Sequence, residues 1–199
     1  EAIAAGAAGE SHNPSNTNEV VASYPKGGKA EVDAAVQAAR AAFPGWSDAS
    51  PEVRSDVLDK GGATLMARAG ELGELLSREE GKTLPEGKGE VMRAARIFKY
   101  FAGEALRRHG QTLESARPGI DVATYREALG VVGLITPWNF PAAIPVWKLA
   151  PALIYGNTIV LKLAQDSPLT GLHIVRALDD AGLPAGVLNV VIGRGSAVG

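Results

Sequence analysis

The uncharged stretch from Gly130 to Trp147 limits how this chain can fold more than any other feature. It reaches the length of a membrane span, but it contains Pro137, Pro141 and Pro145, and Asn139 lies near its centre. Three prolines do not suit a lipid-facing helix, because each removes a backbone hydrogen bond. We interpret the stretch as a buried strand, a rigid polar turn and the start of a helix.

The alternation of strand and helix patterns continues from this stretch to Gly199. Apolar runs predict strands at 131–136, 158–163 and 187–192, and apolar spacing predicts helices at 142–154 and 168–181. Asp166 or Ser167 is expected to cap the second helix, and Gly182 to end it. Strands that are apolar throughout are typical of a parallel sheet covered on both faces. The predicted fold class is α/β, with a Rossmann-like parallel βαβαβ sheet.

Helices dominate the predicted N-terminal part. One is expected over 30–43, ended by Pro44-Gly45, and a second begins after Ser50, with Gly61-Gly62 and Gly70 as weak points. A short strand is predicted at 19–23, and the strongest helical pattern covers 86–108.

A half-polar hairpin is predicted next, with strands at 111–113 and 120–129. Neither strand has a strongly buried face, which fits a protruding subunit contact and a plain surface hairpin equally well. The predicted division is a helical part (1–109), the hairpin (110–129) and the βαβαβ core (130–199).

Composition excludes several classes of site. The chain has 199 residues and a net charge of −2, which favours neither nucleic acid nor an anionic membrane as partner. It has no cysteine, so no disulfide or thiolate metal site is possible, and its histidines lack metal-ligand spacing, so no metal is expected. Without a secretory pattern at the N-terminus, a cytoplasmic location is expected. Since the chain starts with Glu1 rather than Met and stops in a turn directly after a strand, we expect a fragment truncated at both ends.

Three turns follow the predicted strands at their carboxyl ends: 136–140, 162–166 and 193–199. Ligands of open parallel sheets bind beyond this edge, so the turns are expected to form one crevice. Lys162 must reach solvent or a ligand from its strand, and Gln165 could hydrogen-bond neutral hydroxyls there. The third turn lacks the G-x-G-x-x-G spacing, so a nucleotide loop and an ordinary turn both remain open.

Asn139 lies between two aromatic residues and two prolines. An asparagine in a turn can satisfy its own backbone, or it can hold an amide donor ready for a developing oxyanion. Trp138 and Phe140 could shield such a donor from water, or together with Trp147 they could be core aromatics.

These residues resemble the NAD(P)-dependent aldehyde dehydrogenase superfamily. The stretch GVVGLITPWNFPAAIPVWKLAPALIYGNTIVLKLAQDSPLTG carries the likeness, with LLSREEGKTLPEGKGEV upstream and AGLPAGVLNVVIGRGSAVG downstream. Within the superfamily, SREEGKTLPEGKGEV and RPGIDVATYREALGVVG look most like α-ketoglutaric semialdehyde (2,5-dioxopentanoate) dehydrogenases.

The resemblance implies a reaction and residues that serve it. A cysteine thiolate attacks an aldehyde, hydride passes to NAD or NADP, and a glutamate-activated water releases the carboxylate. Asn139 matches the oxyanion-hole asparagine, and Phe140 and Trp147 match positions near the aldehyde. The positions that match the cofactor site are Ile135, Thr136, Pro137, Trp138, Lys162, Gln165, Gly195 and Gly199.

The chain also departs from the family pattern. It contains neither the nucleophilic cysteine nor the motif of the general-base glutamate, so both are expected beyond Gly199 and the chain alone is expected to be inactive. Gln165 stands where the family commonly has a glutamate, which predicts tolerance of NADP. A homodimer or homotetramer is expected of the whole protein. The alternatives are a non-catalytic nucleotide-binding or structural relative, an oligomerisation module, or another aldehyde such as succinate semialdehyde or betaine aldehyde.

Overall fold

The structure is a computed structural model, and it describes residues 8–107 and 110–199. The helix predicted over 86–108 ends at Glu104 and is followed by a 3-10 turn, while residue 108 itself lies outside the described residues. The elements in chain order are β1 (Ala8–Asn13), β2 (Asn16–Pro25), α1 (Lys29–Asp48), α2 (Pro51–Ala67), α3 (Ala69–Glu80), α4 (Leu84–Glu104), a 3-10 turn (Ala105–Arg107), β3 (Gln111–Glu114), β4 (Asp121–Thr124), β5 (Val131–Ile135), α5 (Ala143–Ile154), β6 (Thr158–Leu163), α6 (Pro168–Asp180), β7 (Leu188–Ile192) and α7 (Gly195–Val198).

A parallel sheet of order β5-β6-β7 confirms the predicted βαβαβ unit. Its central strand, β6, is covered on both sides. Thr158 donates a hydrogen bond to the carbonyl of Ala39 in α1, at 2.9 Å. On the other side Leu163 packs so closely on Gly171 of α6 that a Cβ there would lie 2.6 Å away. Because residues alternate along a strand, Lys162 lies on the α1 side, at the carboxyl edge.

The predicted end of α1 at Pro44-Gly45 is wrong, since the helix continues to Asp48. Trp46 explains the difference: it is 1% exposed, and its indole N–H donates to the carbonyl of Leu153, at 3.1 Å. A proline inside a helix removes a hydrogen bond, whereas burial of a tryptophan with its polar group satisfied stabilises the longer helix.

The glycines predicted to weaken α2 do not interrupt it. Gly61 and Gly62 are buried, and they let two other helices approach closely. A Cβ on Gly61 would lie 3.0 Å from Leu178 of α6, and one on Gly62 would lie 3.0 Å from the carbonyl oxygen of Ala95 in α4. The chain breaks at Arg68 instead, and Gly70 lies within α3.

Two hairpins flank the helices. The strand predicted at 19–23 is part of β2, which pairs with β1, a strand that its polar sequence did not predict. In the second hairpin every residue of β3 and β4 is exposed, as expected for a strand pair without a buried face. The strand predicted over 120–129 ends at Thr124, because Thr124 already pairs with Gln111 at the start of β3.

Candidate functional site

The turn between β5 and α5 is the centre of the candidate site. Its residues 137–140 are exposed, whereas Pro141 is buried where α5 approaches. Trp138 is 54% exposed and Phe140 is 39% exposed. Trp147, further along α5, is 45% exposed. None of the three aromatics is therefore part of the core, and the interpretation as core aromatics is wrong.

The three predicted turns do meet at the carboxyl edge of the sheet. They line an open cleft of about 400 Å³. Its lining residues are Thr136, Pro137, Trp138, Lys162, Ala164, Gln165, Asp166, Gly193, Arg194 and Gly195. The predicted crevice is thus present, with an ammonium, a guanidinium, an amide and one carboxylate in its wall.

Two of the predicted cofactor positions lie outside this cleft. Ile135 lines a neighbouring cavity of about 350 Å³ between α1 and the sheet, and Lys162 lines both cavities. Gly199 lines neither cavity, and its N–H donates to the carbonyl of Gly195 at 2.9 Å. Gly195 itself begins the single turn of α7. A Cβ on Gly195 would contact nothing within 4 Å, which leaves room for a ligand there.

Lys82 and Glu90 hold the turn, and spacing in the sequence did not reveal them. Lys82 Nζ lies 2.6 Å from the carbonyl oxygen of Asn139 and 3.7 Å from the centre of the Phe140 ring. It also lies 2.6 Å from one oxygen of Glu90. The other Glu90 oxygen accepts the N–H groups of Ala142 and Ala143, at 2.8 and 3.1 Å. A separation of 57 residues between Lys82 and Asn139 explains why no local pattern predicted the contact.

Lys82 has a second acidic neighbour, Glu80, at the end of α3. One of its oxygens is 3.7 Å from Lys82 Nζ, and its side chain is 8% exposed. Burial raises the pKa of Glu80, and the ammonium of Lys82 opposes that rise. The lysine thus lies between two acidic side chains and the turn.

The prediction that the side chain of Asp166 or Ser167 caps α6 is wrong, because neither side chain accepts an N–H group of the helix. Ser167 occupies the N-cap position, but its hydroxyl donates to the carbonyl of Trp138 at 3.2 Å. Glu79 of α3 caps the helix instead, accepting the N–H groups of Leu169 and Thr170 at 2.7 and 2.8 Å. Burial raises the pKa of Glu79, and the hydrogen bonds from Thr170 and Leu169 oppose the rise. Glu79 therefore fixes the start of α6, which directly follows the cleft wall.

Neither metal binding nor membrane insertion is indicated by the part of the chain that the structure describes. No group of three or more acidic, histidine or cysteine side chains there could hold a metal ion. No helix within 8–107 or 110–199 combines the length and the apolarity that a membrane crossing requires.

Comparison with known proteins places this chain in one family. The model of the aldehyde dehydrogenase family matches residues 4–199. The α-ketoglutarate semialdehyde dehydrogenase of Haloferax volcanii is 49% identical over 187 residues, which are 94% of this chain and 39% of that protein.

Solved structures agree. The crystal structure of an NADP-dependent enzyme of E. coli matches all of this chain and 41% of its own, with a TM-score of 0.97 and 38% identity. The betaine aldehyde dehydrogenase of Staphylococcus aureus, solved with NAD+, matches all of this chain and 40% of its own, with a TM-score of 0.95 and 32% identity. The chain thus spans about 39% of the length of the Haloferax volcanii relative. On these matches, the chain belongs to the aldehyde dehydrogenase family.

Proposed function

We propose that this chain is the cofactor-binding portion of an NAD(P)-dependent aldehyde dehydrogenase that oxidises 2,5-dioxopentanoate to its carboxylate. The observation that carries the proposal is the cleft at the carboxyl edge of the sheet, with the exposed Asn139 turn at its side. The name of the Haloferax volcanii relative supports the choice of aldehyde. Since the chain has no cysteine, the required thiolate has to come from residues outside these 199.

The residues of the cleft fit a dinucleotide. Lys162 has no carboxylate within 4.0 Å among the described residues, so its ammonium is available to ribose hydroxyls or a phosphate. We assign Lys162 and Gln165 to the ribose. Thr136, Pro137, Trp138 and Gly195 form the surrounding wall, and Ile135 and Gly199 lie next to it. When bound, NAD(P) accepts hydride from the substrate.

The turn supplies the groups proposed for the aldehyde. The Asn139 carboxamide is the donor to the oxyanion, a role that is effective only when the donor is held in place before the reaction. Phe140 in the turn and Trp147 on α5 are exposed aromatic side chains, and we assign them to the aldehyde.

An assay of NAD(P)H formation tests this function. The protein that carries this chain is incubated with 2,5-dioxopentanoate, succinate semialdehyde or betaine aldehyde. The highest kcat/KM is expected with 2,5-dioxopentanoate. A higher value with betaine aldehyde would contradict the choice of aldehyde, and no NAD(P)H with any of them would favour a non-catalytic relative.

Gln165 predicts that NADP is used as well as NAD. A glutamate at this position would repel the 2′-phosphate, whereas a neutral amide does not, and Arg194 adds a positive charge to the same cleft. We expect kcat/KM with NADP to exceed about one hundredth of the value with NAD, and the change Gln165→Glu to lower it. Calorimetric titration of NADP+ into this chain should likewise show a lower affinity for Gln165→Glu than for the parent.

The matched control for this change is Gln37→Glu, at an exposed position of α1. It adds the same charge away from the cleft, so NADP use should not change. A discrimination against NADP of more than about 100-fold in the parent, roughly 2.7 kcal/mol, would contradict the prediction.

We also propose that the β3–β4 hairpin contacts a second copy in a homodimer or homotetramer. Leu113 and Val122 are paired across the strands and are 48% and 37% exposed. Leu113→Glu is expected to lower the mass measured by sedimentation velocity, because it places a charge in an apolar contact. Thr112→Glu, on the opposite face, is the control, and an unchanged mass for Leu113→Glu would contradict the contact.

A further inference from the structure

We propose that Lys82 and Glu90 are a positioning pair that fixes the turn of residues 137–141 and so preorganises the Asn139 carboxamide. This inference rests on the proposed function, since it assigns the pair a part in that reaction. Neither residue is expected to touch the substrate; both act through Asn139.

The Glu90 carboxylate connects the C-terminal end of the turn to α4. Ala142 is the N-cap residue of α5, and its methyl side chain cannot accept a hydrogen bond from the first N–H groups of the helix. One Glu90 oxygen accepts the N–H groups of Ala142 and Ala143 in its place. The Glu90 side chain is only 3% exposed, so its charge is shielded from water and is paired with Lys82. A carboxylate at a helix N-terminus is favourable because it faces unpaired N–H groups and the positive end of the helix dipole.

The Lys82 ammonium connects the middle of the turn to the same carboxylate. Its ammonium contacts the backbone of Asn139, the ring of Phe140 and the second oxygen of Glu90. The lysine is itself held between two helices. Gly81 ends α3 in the left-handed conformation, with φ of 91°, and Thr83 caps α4.

The turn depends on these contacts and on the hydrogen bond from the Ser167 hydroxyl to the carbonyl of Trp138. Residues 137–140 face solvent, so burial contributes little to their position. A misplacement of about 1 Å can lower a rate by about 10²-fold, even when the altered residue is remote from the reacting atoms. Loss of the tether is therefore expected to affect kcat much more than binding of the aldehyde.

The first test measures the turn directly by amide hydrogen exchange in this chain. Lys82→Met is compared with Lys99→Met, which removes a lysine of α4 that pairs with Asp59, away from the turn. Exchange in peptides covering 138–144 is expected to be at least about 10-fold faster in Lys82→Met only. Unchanged protection of these amides would overturn the proposal, as would an equal loss of protection throughout the chain.

The second test is a double-mutant cycle in the protein that carries this chain. Lys82→Met is expected to lower kcat by about 10- to 100-fold, with KM for the aldehyde within about 3-fold of the parent. On the Asn139→Ala background the same change should lower kcat by less than about 3-fold, because the group that it positions is already gone. Equal effects on both backgrounds would overturn the proposal.

Conservative variants guard against misfolding. Lys82→Arg keeps the positive charge and is expected to have a higher kcat than Lys82→Met. Glu90→Gln keeps an acceptor for the N–H groups but removes the ion pair, and it is expected to lower kcat. A kcat of Lys82→Arg no higher than that of Lys82→Met, or a kcat of Glu90→Gln equal to that of the parent, would overturn the proposal. A parent without NAD(P)H formation would contradict the proposed function alone, since the exchange experiment still decides whether the pair fixes the turn.

Discussion

Replacing Asn139 by alanine is expected to lower kcat by about 10²- to 10³-fold in the protein that carries this chain. This corresponds to about 2.7–4 kcal/mol of lost transition-state stabilisation. The carboxamide is the proposed donor to the oxyanion, which forms only during the reaction, so KM should change little. Alanine keeps the backbone carbonyl that binds Lys82, so the turn itself should remain in place.

The measurement is steady-state formation of NAD(P)H, together with the midpoint of urea unfolding. Asn18→Ala is the matched control, because Asn18 is exposed in β2 and remote from the turn in sequence. The proposed donor role would be contradicted if Asn139→Ala kept kcat within about 3-fold of the parent and left the unfolding midpoint unchanged. Asn139 would then have only a structural role.

The largest loss of stability is expected from Arg54→Met. Arg54 is 3% exposed, and its guanidinium donates to four backbone carbonyls. One belongs to Ile154 at the end of α5, and the others to Trp46, Ser47 and Ala49, where α1 ends. Methionine fills similar space but donates nothing, so buried carbonyls lose their partner. We expect the free energy of unfolding to fall by about 3–5 kcal/mol.

Urea unfolding of this chain measures the effect, and Arg96→Met is the control. Arg96 is exposed on α4, so its loss should change the free energy of unfolding by no more than about 0.5 kcal/mol. A loss below about 1 kcal/mol for Arg54→Met would show that water or a rearranged loop replaces the guanidinium.

Helix ends show where local signals sufficed. Pro168 and Gly182 bound α6 as expected, because a proline fits the first turn and Gly182 takes a positive φ of 92°. Pro44 carries an equally strong stop signal, yet α1 passes it, since burial of Trp46 against α5 outweighs the lost hydrogen bond. A local stop signal fails where a distant packing contact favours continuation.

The candidate site likewise has a part that local patterns predicted and a part that they did not. The cleft could be predicted, because the carboxyl ends of parallel strands must share one edge, and Lys162 and Gln165 follow directly from their strand. The contacts that hold the turn could not be predicted, since Lys82 and Glu90 bind Asn139 and Ala142, which lie 57 and 52 residues further along the chain.

Apolar periodicity and turn residues are local properties of the chain, so the parallel βαβαβ unit and the position of the Asn139 turn could be predicted from them. The family followed from the resemblance of the stretch 130–171, which the family match over residues 4–199 confirms. The side chains that hold the turn and cap α6 became known only from the packed structure. The carboxylates of Glu79 and Glu90 and the ammonium of Lys82 act across distances in sequence that no period spans. Their effect arises when helices pack and exclude water, since buried N–H and carbonyl groups then require partners wherever the fold supplies them.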